Sequence, residues 1–149
     1  MIILFLTGGL IAGGIIPVQT SINSKLGQQV GSPFLASFIS FFTGTLTLII
    51  LSLAIDHRIA FDPAAFYNHP WWIWIGGGML GVFYLTTNIL LLPRLGAALT
   101  VVVTLCGQMI MAIAIDQFGL FNVPVHELNI PRLIGITCMF AGVYLIKRF

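Results

Sequence analysis

The segment Pro33–Ile55, PFLASFISFFTGTLTLIILSLAI, contains no charged residue from one end to the other. Its length suits the roughly 20 residues that a helix needs to cross the hydrocarbon core of a bilayer. Because that core offers no water to a free N–H or C=O group, such a segment has to satisfy its own backbone by forming a helix. The segment therefore predicts a membrane-spanning helix.

The rest of the chain repeats this pattern. One more apolar run precedes it, Ile2–Asn23, and three follow it: Trp71–Leu92, Gly96–Ile115 and Pro131–Ile146. Hydrophobic residues make up 58% of the chain and charged residues 7%, against about 25% charged residues in soluble domains. We therefore predict an all-α, polytopic membrane protein with five transmembrane helices in one domain, residues 1–149. The first run is too long for a signal peptide, and we expect it to be retained.

The distribution of basic residues predicts the orientation of the chain in the membrane. One face receives four basic residues and the other two: Lys25, Arg94, Lys147 and Arg148 against Arg58 and Arg132. Lys and Arg in short loops favour the cytoplasmic side, whereas acidic residues contribute little. We expect the N-terminus outside the cell and the C-terminus in the cytoplasm. No basic stripe indicates a nucleic-acid partner.

Small residues recur at a spacing of four on several predicted helices. Such spacing lets two helix backbones approach closely, which favours association where lipid and side chains are equally apolar. The pattern predicts packing seams, either inside a compact bundle or between two copies, at Gly9 and Gly13, at Ala36, Ser40 and Gly44, and at Gly77 and Gly81.

Polar residues inside the apolar runs are the main functional signal, since they are costly in lipid. Pro17 cannot donate a hydrogen bond to the Gly13 carbonyl, so we expect a kink or break there. By helical rise, the polar residues of four helices fall near the midplane or in the cytoplasmic half. They form a candidate substrate-binding layer of Gln19, Asn23, Tyr84, Asn88, Thr104 and Gln108, with Ser37 and Ser40 nearby. The alternative is that these groups only join helices by hydrogen bonds.

Asp116 is a separate candidate, because it ends a predicted helix where the macrodipole disfavours an anion. It is either an interfacial carboxylate, hydrated or paired with Arg58 or Arg132, or a proton or cation site at the outer mouth. Residue patterns typical of catalysis, of a metal site or of a phosphate-binding loop do not occur. We predict no enzyme activity, no cofactor and no metal.

Short motifs occur in order along nearly the whole chain: Pro17-Val18-Gln19 with Asn23, Gly31-Ser32-Pro33, Pro70-Trp71-Trp72 with Gly76-Gly77-Gly78, Pro93-Arg94-Leu95-Gly96, Gly107-Gln108, Asp116 with Gly119, and Gly135 with Gly142-Val143. This ordered set resembles YdcZ-type proteins of the drug/metabolite transporter superfamily. The resemblance implies a five-helix exporter of the bacterial inner membrane and marks Gln19, Asn23, Gln108 and Asp116 as positions of interest. Small multidrug exporters of that superfamily carry a buried glutamate on their first helix. No acidic residue occurs in this first run, so proton coupling by that route is not implied.

Five helices are few to enclose an alternating-access pathway, and many transporters pair two halves of opposite orientation. We therefore expect a transport subunit for small metabolites or drug-like compounds that works as an antiparallel dimer. Its partner is an oppositely oriented paralogue, which the charge bias favours, or a second copy of the chain. The alternative is a membrane scaffold or accessory subunit that transports nothing.

Overall fold

The computed structural model describes residues 2–57 and 67–148, and these form four long helices. The helices are α1 (Ile2–Val30), α2 (Pro33–Ile55), α3 (Trp71–Phe118) and α4 (Ile130–Arg148), with a 3₁₀ turn at Leu120–Asn122. The described residues contain no strand, and all four helices are long and apolar enough to cross a membrane. The prediction of an all-helical polytopic membrane protein is confirmed at this level.

The junction between α1 and α2 is built by three consecutive residues. Gly31 has φ +70° and ends α1, and the Ser32 N–H donates to the Gly27 carbonyl at 3.1 Å, as in a Schellman motif. Ser32 then caps α2, since its hydroxyl accepts from the Leu35 N–H at 3.2 Å, and Pro33 occupies the first helical turn. This junction fixes α2 at its predicted bounds.

Helix α1 continues seven residues past its predicted end, to Val30 rather than Asn23. Its last turns are buried on one side, along Thr20, Asn23, Ser24 and Gly27. A Cβ built on Gly27 would lie 3.0 Å from the Ile89 Cγ2 atom and 3.6 Å from the Ala36 Cβ atom. Close packing of small residues therefore holds a helical turn that contains few apolar residues.

Helix α3 contains 48 residues and covers both the third and the fourth predicted runs. At about 1.5 Å of rise per residue, 48 residues are enough for two crossings of the ~30 Å hydrocarbon core. Its backbone leaves the helical region at Gly96, with φ 77° and ψ 169°, three residues after Pro93. Gly96 is also the residue at which the sequence predicts the start of the fourth crossing.

Helix α4 begins one residue earlier and ends two residues later than predicted. The Asn129 side chain accepts from the Arg132 N–H at 3.0 Å, and the Asn129 carbonyl accepts from the Leu133 N–H at 3.1 Å. Asn129 thus acts as an N-cap. With 19 residues, α4 has the length of a full crossing.

The chain divides into two compact units, Met1–Arg94 and Leu95–Phe149. In the first unit a small apolar core consists of Ala36, Leu85 and Ile89, with Leu26 packed against it. The expectation of one domain stays a prediction.

Most glycines of the predicted small-residue seams face open space in this chain, whereas Ala36 is buried in the core. Gly81 is an exception, because a Cβ there would lie 3.1 Å from the Phe41 Cζ atom. No described atom outside its own helix comes within 4 Å of such a Cβ at four other positions: Gly9, Gly13, Gly44 and Gly77. The reading of these glycines as a seam between two copies stays a prediction.

Candidate functional site

A hydrogen bond between α1 and α3 depends on a proline. Pro93 has no N–H to donate to the carbonyl of Ile89, four residues earlier. The Ser24 hydroxyl donates to that carbonyl at 3.3 Å, and both residues are buried, with 2% and 4% of their surface exposed. The carbonyl that Pro93 leaves without its backbone donor in α3 thus accepts a hydrogen bond from α1 and links the two helices.

Two further side-chain hydrogen bonds join helices in the same region. The Asn23 amide donates to the Ser40 hydroxyl at 3.1 Å, linking α1 to α2. The Ser37 and Thr86 hydroxyls lie 2.8 Å apart and link α2 to α3. Asn23, Ser37 and Thr86 are all buried. Among the predicted site residues, Asn23 therefore has the contacts of an interhelical joint.

The side chains of two other predicted residues form hydrogen bonds inside their own helix. The Asn88 amide donates to the Tyr84 carbonyl at 2.8 Å and is buried. The Thr104 hydroxyl lies 2.9 Å from the Thr100 carbonyl and 3.0 Å from the Val101 carbonyl. Bonds of this kind satisfy a polar side chain in lipid without reaching another helix. They give no direct support to a binding role for Asn88 or Thr104.

Gln19 differs from these residues because its side-chain amide has no hydrogen-bond partner among residues 2–57 and 67–148, and it is exposed. It lines a cavity of about 280 Å³ between α1, α2 and α3, which we call the Gln19 cavity. The other lining residues are Ser40, Phe41, Gly44, Thr45, Leu48 and Leu85. The cavity is mostly apolar, contains no charged side chain, and carries one amide and two hydroxyl groups.

The predicted layer is divided between the two units of the chain. Gln19, Asn23, Tyr84 and Asn88 belong to the first unit, and Thr104 and Gln108 to the second. Gln108 is exposed. The joining of all six residues in one layer stays a prediction.

Helix α1 runs through Pro17 as one continuous helix. The helix is therefore not interrupted there, and the predicted kink at Gly13 and Pro17 stays a prediction. Lipid-embedded helices tolerate proline when other groups satisfy the carbonyl that it frees. No side chain among the described residues donates to the Gly13 carbonyl, and the Ser21 hydroxyl donates to the Pro17 carbonyl at 2.8 Å.

Asp116 forms an ion pair in the second unit. Its carboxylate lies 3.3 Å from an Arg132 guanidinium nitrogen, and the same nitrogen donates to the His126 carbonyl at 3.2 Å. The His126 N–H donates to the Asp116 carbonyl at 3.0 Å, so the connecting segment is fastened to the end of α3. This geometry agrees with the interfacial reading of Asp116, paired with Arg132. Arg58, the other predicted partner, lies outside the described residues.

The pair lines a second mostly apolar cavity, of about 290 Å³, with Met109, Ala112, Ile113, Gly135, Ile136 and Met139. A cation or proton acting at Asp116 would have to compete with the Arg132 guanidinium for the carboxylate. The role of Asp116 as a coupling-ion site stays a hypothesis.

Sequence reasoning missed Ser24, Gly27 and Thr86, which build the packed region of the first unit. A usable signal existed on α1, since Thr20, Asn23, Ser24 and Gly27 follow the spacing of one helical face. Small and polar residues in that pattern indicate a helix–helix contact in a membrane protein. Ser24 and Gly27 follow the predicted apolar run, and for that reason they resembled loop residues.

Apolar helices long enough to span a bilayer, joined by buried hydroxyl and amide bonds, define a polytopic helical membrane protein. Over residues 4–145 the chain matches the family DMT_YdcZ, described as "Putative inner membrane exporter, YdcZ". The chain belongs to this family, and the resemblance inferred from its motifs is confirmed. It is 27% identical over 140 residues to "Inner membrane protein YdcZ" of Escherichia coli (strain K12), an alignment covering 93% of this chain and 92% of that protein. No solved structure matches the chain significantly.

The family supports membrane location and transport as the general class of function. Its description places its members in the inner membrane and names export rather than catalysis. The family description does not specify the substrate, the transport mechanism or the assembly of its members.

Proposed function

We propose that this protein is a subunit of an inner-membrane exporter for small, neutral or weakly amphipathic compounds. The observation that carries the proposal is the Gln19 cavity, where a side-chain amide that bonds to none of the described residues lines a mostly apolar space. Membership of a family described as inner-membrane exporters supports the same class of function.

The chemistry of the cavity limits the substrate class. A carboxamide offers two N–H donors and one acceptor oxygen, so it can orient a polar group of a ligand or a water molecule. Leaving such a group without a partner in an apolar environment is unfavourable by about 1–3 kcal/mol. No ionisable side chain lines the cavity, so nothing there would compensate a full charge on the ligand. The ligand is therefore uncharged where it contacts Gln19, with one polar group and an apolar body.

Tyr84, Asn88, Thr104 and Gln108 complete the proposed pathway in other parts of the chain, and Asp116 remains the candidate for coupling. Asn23 contributes indirectly, because its hydrogen bond fixes Ser40, which lines the cavity. Gln108, as an exposed amide, is the second position to test.

Five crossings of the membrane are part of the proposal. The length of α3 and the non-helical backbone at Gly96 support two crossings within Trp71–Phe118. Added to α1, α2 and α4, these give an odd number and place the termini on opposite faces. An antiparallel pairing of two such chains would create the inverted repeat found in many transporters. The partner is an oppositely oriented paralogue or a second copy, and the charge bias favours N-out, C-in insertion.

A membrane scaffold is the competing function, and specific contacts favour it. The Asn23–Ser40 and Ser37–Thr86 bonds show that several intramembrane polar groups serve to join helices. Gln19 does not join helices within the described residues, so a scaffold would need this amide to bond to a helix of a partner protein. The decisive difference is whether water and solute reach Gln19.

Replacing Gln19 with leucine tests the proposal. Transport should be strongly reduced while folding is retained, because Gln19 makes no bond that leucine would break. A substrate left with an unpaired polar group should bind up to roughly a hundredfold more weakly. Efflux of a panel of small uncharged compounds from loaded vesicles measures transport, and thermal unfolding in detergent measures stability.

Ser37→Ala is the matched control, since it removes an interhelical bond outside the cavity. It should lower stability by about 0.6–1.7 kcal/mol, and transport only in proportion to the folded protein. Gln19→Cys, made in a Cys138→Ala background because Cys138 is exposed, adds a readout that needs no substrate. A water-soluble thiol reagent should modify it, but should not modify Leu10→Cys in the exposed apolar stretch of α1. A fully active Gln19→Leu variant, or an unreactive Gln19→Cys variant, contradicts the cavity.

Cysteine labelling at position 68 tests orientation and pairing together. Asn68 precedes the α3 tryptophans and is exposed, and Cys138 is exposed too, so Asn68→Cys is made in a Cys138→Ala background. Labelling by an impermeant reagent only from outside the cell supports N-out insertion and a paralogous partner. Labelling of about half the molecules from each side supports pairing of two copies. Labelling only from the cytoplasm would overturn the assigned orientation, and cross-linking that yields only monomers would overturn the dimer.

A further inference from the structure

A third cavity lies in the first unit, where α1 ends and α2 begins. We call it the Arg94 cavity, after the one charged residue that lines it, and its volume is about 320 Å³. Its polar lining includes Ser24 and Gln28 from α1, and Pro93 and Arg94 close it from α3. It shares no residue with the Gln19 cavity, so the proposed transport function leaves it unexplained.

The Arg94 guanidinium in this cavity is largely without protein partners. One of its nitrogens donates to the Leu90 carbonyl at 3.0 Å, within the same helix. No carboxylate among residues 2–57 and 67–148 lies within ion-pair distance of it. A guanidinium has five N–H donors arranged as a planar fork, so most of its donors remain available. Arg94 is exposed, so these donors are accessible to water or to an anionic ligand from outside the chain.

The geometry of the fork favours an oxyanion that can accept two parallel hydrogen bonds, which a phosphate does well. The first turn of α2 borders the cavity through Pro33 and contains no acidic residue, so its dipole adds to the positive potential. No acidic side chain lines the cavity to bind the amine of a zwitterionic headgroup. The cavity therefore suits a phosphate group with net negative charge.

Its position at the end of two transmembrane helices identifies the source of that phosphate. The link between α1 and α2 consists of Gly31 and Ser32 alone, so the cavity lies where two spans meet the membrane–water boundary. Phospholipid phosphates lie at this depth, and basic pockets between transmembrane helices bind anionic headgroups there. Exposed apolar side chains flank it, with 70% of Phe34 and 43% of Leu35 exposed, and offer a surface to acyl chains.

We propose that the Arg94 cavity is a binding site for the phosphate group of an anionic phospholipid. The guanidinium of Arg94 holds the phosphate, and Gln28 adds a neutral donor. The site shares no residue with the Gln19 cavity, and an anionic phospholipid bound there would contact the α1–α2 junction.

The test measures lipid binding to the purified full-length protein by native mass spectrometry, with phosphatidylglycerol and phosphatidylcholine as probes. The wild-type protein should bind phosphatidylglycerol more tightly than phosphatidylcholine. Arg94→Gln should weaken phosphatidylglycerol binding by roughly tenfold or more, because a charge-assisted hydrogen bond is lost, and should remove the preference. Lys25→Gln is the matched control: it removes one positive charge from the same end of α1 but does not line the cavity, so binding should change by less than about twofold.

Equal weakening by Arg94→Gln and Lys25→Gln would show general electrostatic attraction and overturn the site. Displacement of the lipid by inorganic phosphate at equal concentration would overturn a lipid as the ligand, in favour of a soluble phosphate. If Arg94→Gln does not fold, Arg94→Lys carries the test, because it keeps the charge and removes the fork. Binding by Arg94→Lys equal to that of the wild type would then overturn the assignment.

Discussion

Pro93 and Pro17 both lie inside long apolar helices, and each lacks the N–H that would bond to the carbonyl four residues earlier. The carbonyl that Pro93 frees belongs to Ile89, and the Ser24 hydroxyl donates to it from another helix. The carbonyl that Pro17 frees belongs to Gly13, and no side chain among the described residues donates to it. The two prolines thus create the same backbone defect in opposite surroundings.

The two ends of α1 differ in the same way: its C-terminal end is packed against other helices, and its N-terminal end is exposed. Thr20, Asn23, Ser24 and Gly27 bury one side of the helix near its C-terminal end. A Cβ on Gly13 would meet nothing within 4 Å, and the preceding turns are exposed. In the packed region, a side chain of the same protein donates to the carbonyl that the proline leaves without its backbone donor. Where α1 is open, the free carbonyl and the nearby Gln19 amide are available to a partner helix, water or a substrate.

Substituting leucine at a glycine of each end gives the largest expected contrast. In Gly27→Leu the new side chain would meet Ile89 and Ala36, with the first contact at 3.0 Å from Cβ. Overpacking of this kind should lower the free energy of unfolding by about 3 kcal/mol. Gly13→Leu makes the same chemical change with no neighbour within 4 Å, and its stability should not fall. Thermal unfolding of both variants in one detergent provides the comparison.

The leucine gains the same helix propensity over glycine at both positions, so the difference between the variants reports packing alone. Equal losses of stability in the two variants would mean that the N-terminal end of α1 is also packed, and the contrast would fail.

Removing one hydroxyl tests whether Ser24 satisfies the carbonyl freed by Pro93. Ser24→Ala leaves the buried Ile89 carbonyl without a donor, and the free energy of unfolding should fall by about 1–2 kcal/mol. Ser21→Ala is the control, because Ser21 is exposed and its hydroxyl donates to the Pro17 carbonyl of its own helix at 2.8 Å. It should change stability by less than about 0.5 kcal/mol. A Ser24→Ala variant as stable as Ser21→Ala would remove this joint from the packed region.

The same contrast explains which parts of the fold could be predicted from sequence. Pro33–Ile55 was predicted at both ends, because an uninterrupted apolar run measures the bilayer directly. The continuation of α1 beyond Asn23 was not predicted, because polar residues there are held in the helix by contacts with α2 and α3. Those contacts join positions as distant as Ser24 and Ile89. Helical periodicity along one segment can indicate a packed face, but it does not identify the residues that the face contacts.

The candidate site divides in a similar way. Intramembrane polar residues were recognisable as important, but their roles depend on the rotation of each helix about its axis. The Asn23 amide faces α2 and donates to Ser40, which links the two helices. Gln19, one turn earlier, has no hydrogen-bond partner among the described residues. Asn88 bonds within its own helix. Sequence reasoning placed all three in one layer because it predicts the depth of a residue in the membrane better than it predicts which way the side chain points from the helix axis.

Replacing each proline with alanine restores the missing N–H and tests the difference between the two prolines directly. The expected difference in stability between the two variants is the smallest of those predicted. Both Pro17→Ala and Pro93→Ala relieve the clash of a proline ring with the preceding turn, so that contribution should be similar in the two variants. In Pro17→Ala the new N–H bonds to a Gly13 carbonyl that has no side-chain donor. In Pro93→Ala the new N–H competes with Ser24 for the Ile89 carbonyl. Pro17→Ala should therefore gain about 1 kcal/mol more than Pro93→Ala.

Measured together, thermal unfolding and vesicle efflux should separate stability from function in these two variants. Pro17→Ala should become more stable and transport less, because the Gly13 carbonyl would no longer be available on the open side of α1. Pro93→Ala should leave transport nearly unchanged, since the Ile89 carbonyl is buried in the packed region. Equal stabilisation by both substitutions would mean that the Gly13 carbonyl already has a donor, from a partner helix. A Pro17→Ala variant that gains the expected stability and transports normally would keep the structural contrast and remove the carbonyl from the pathway.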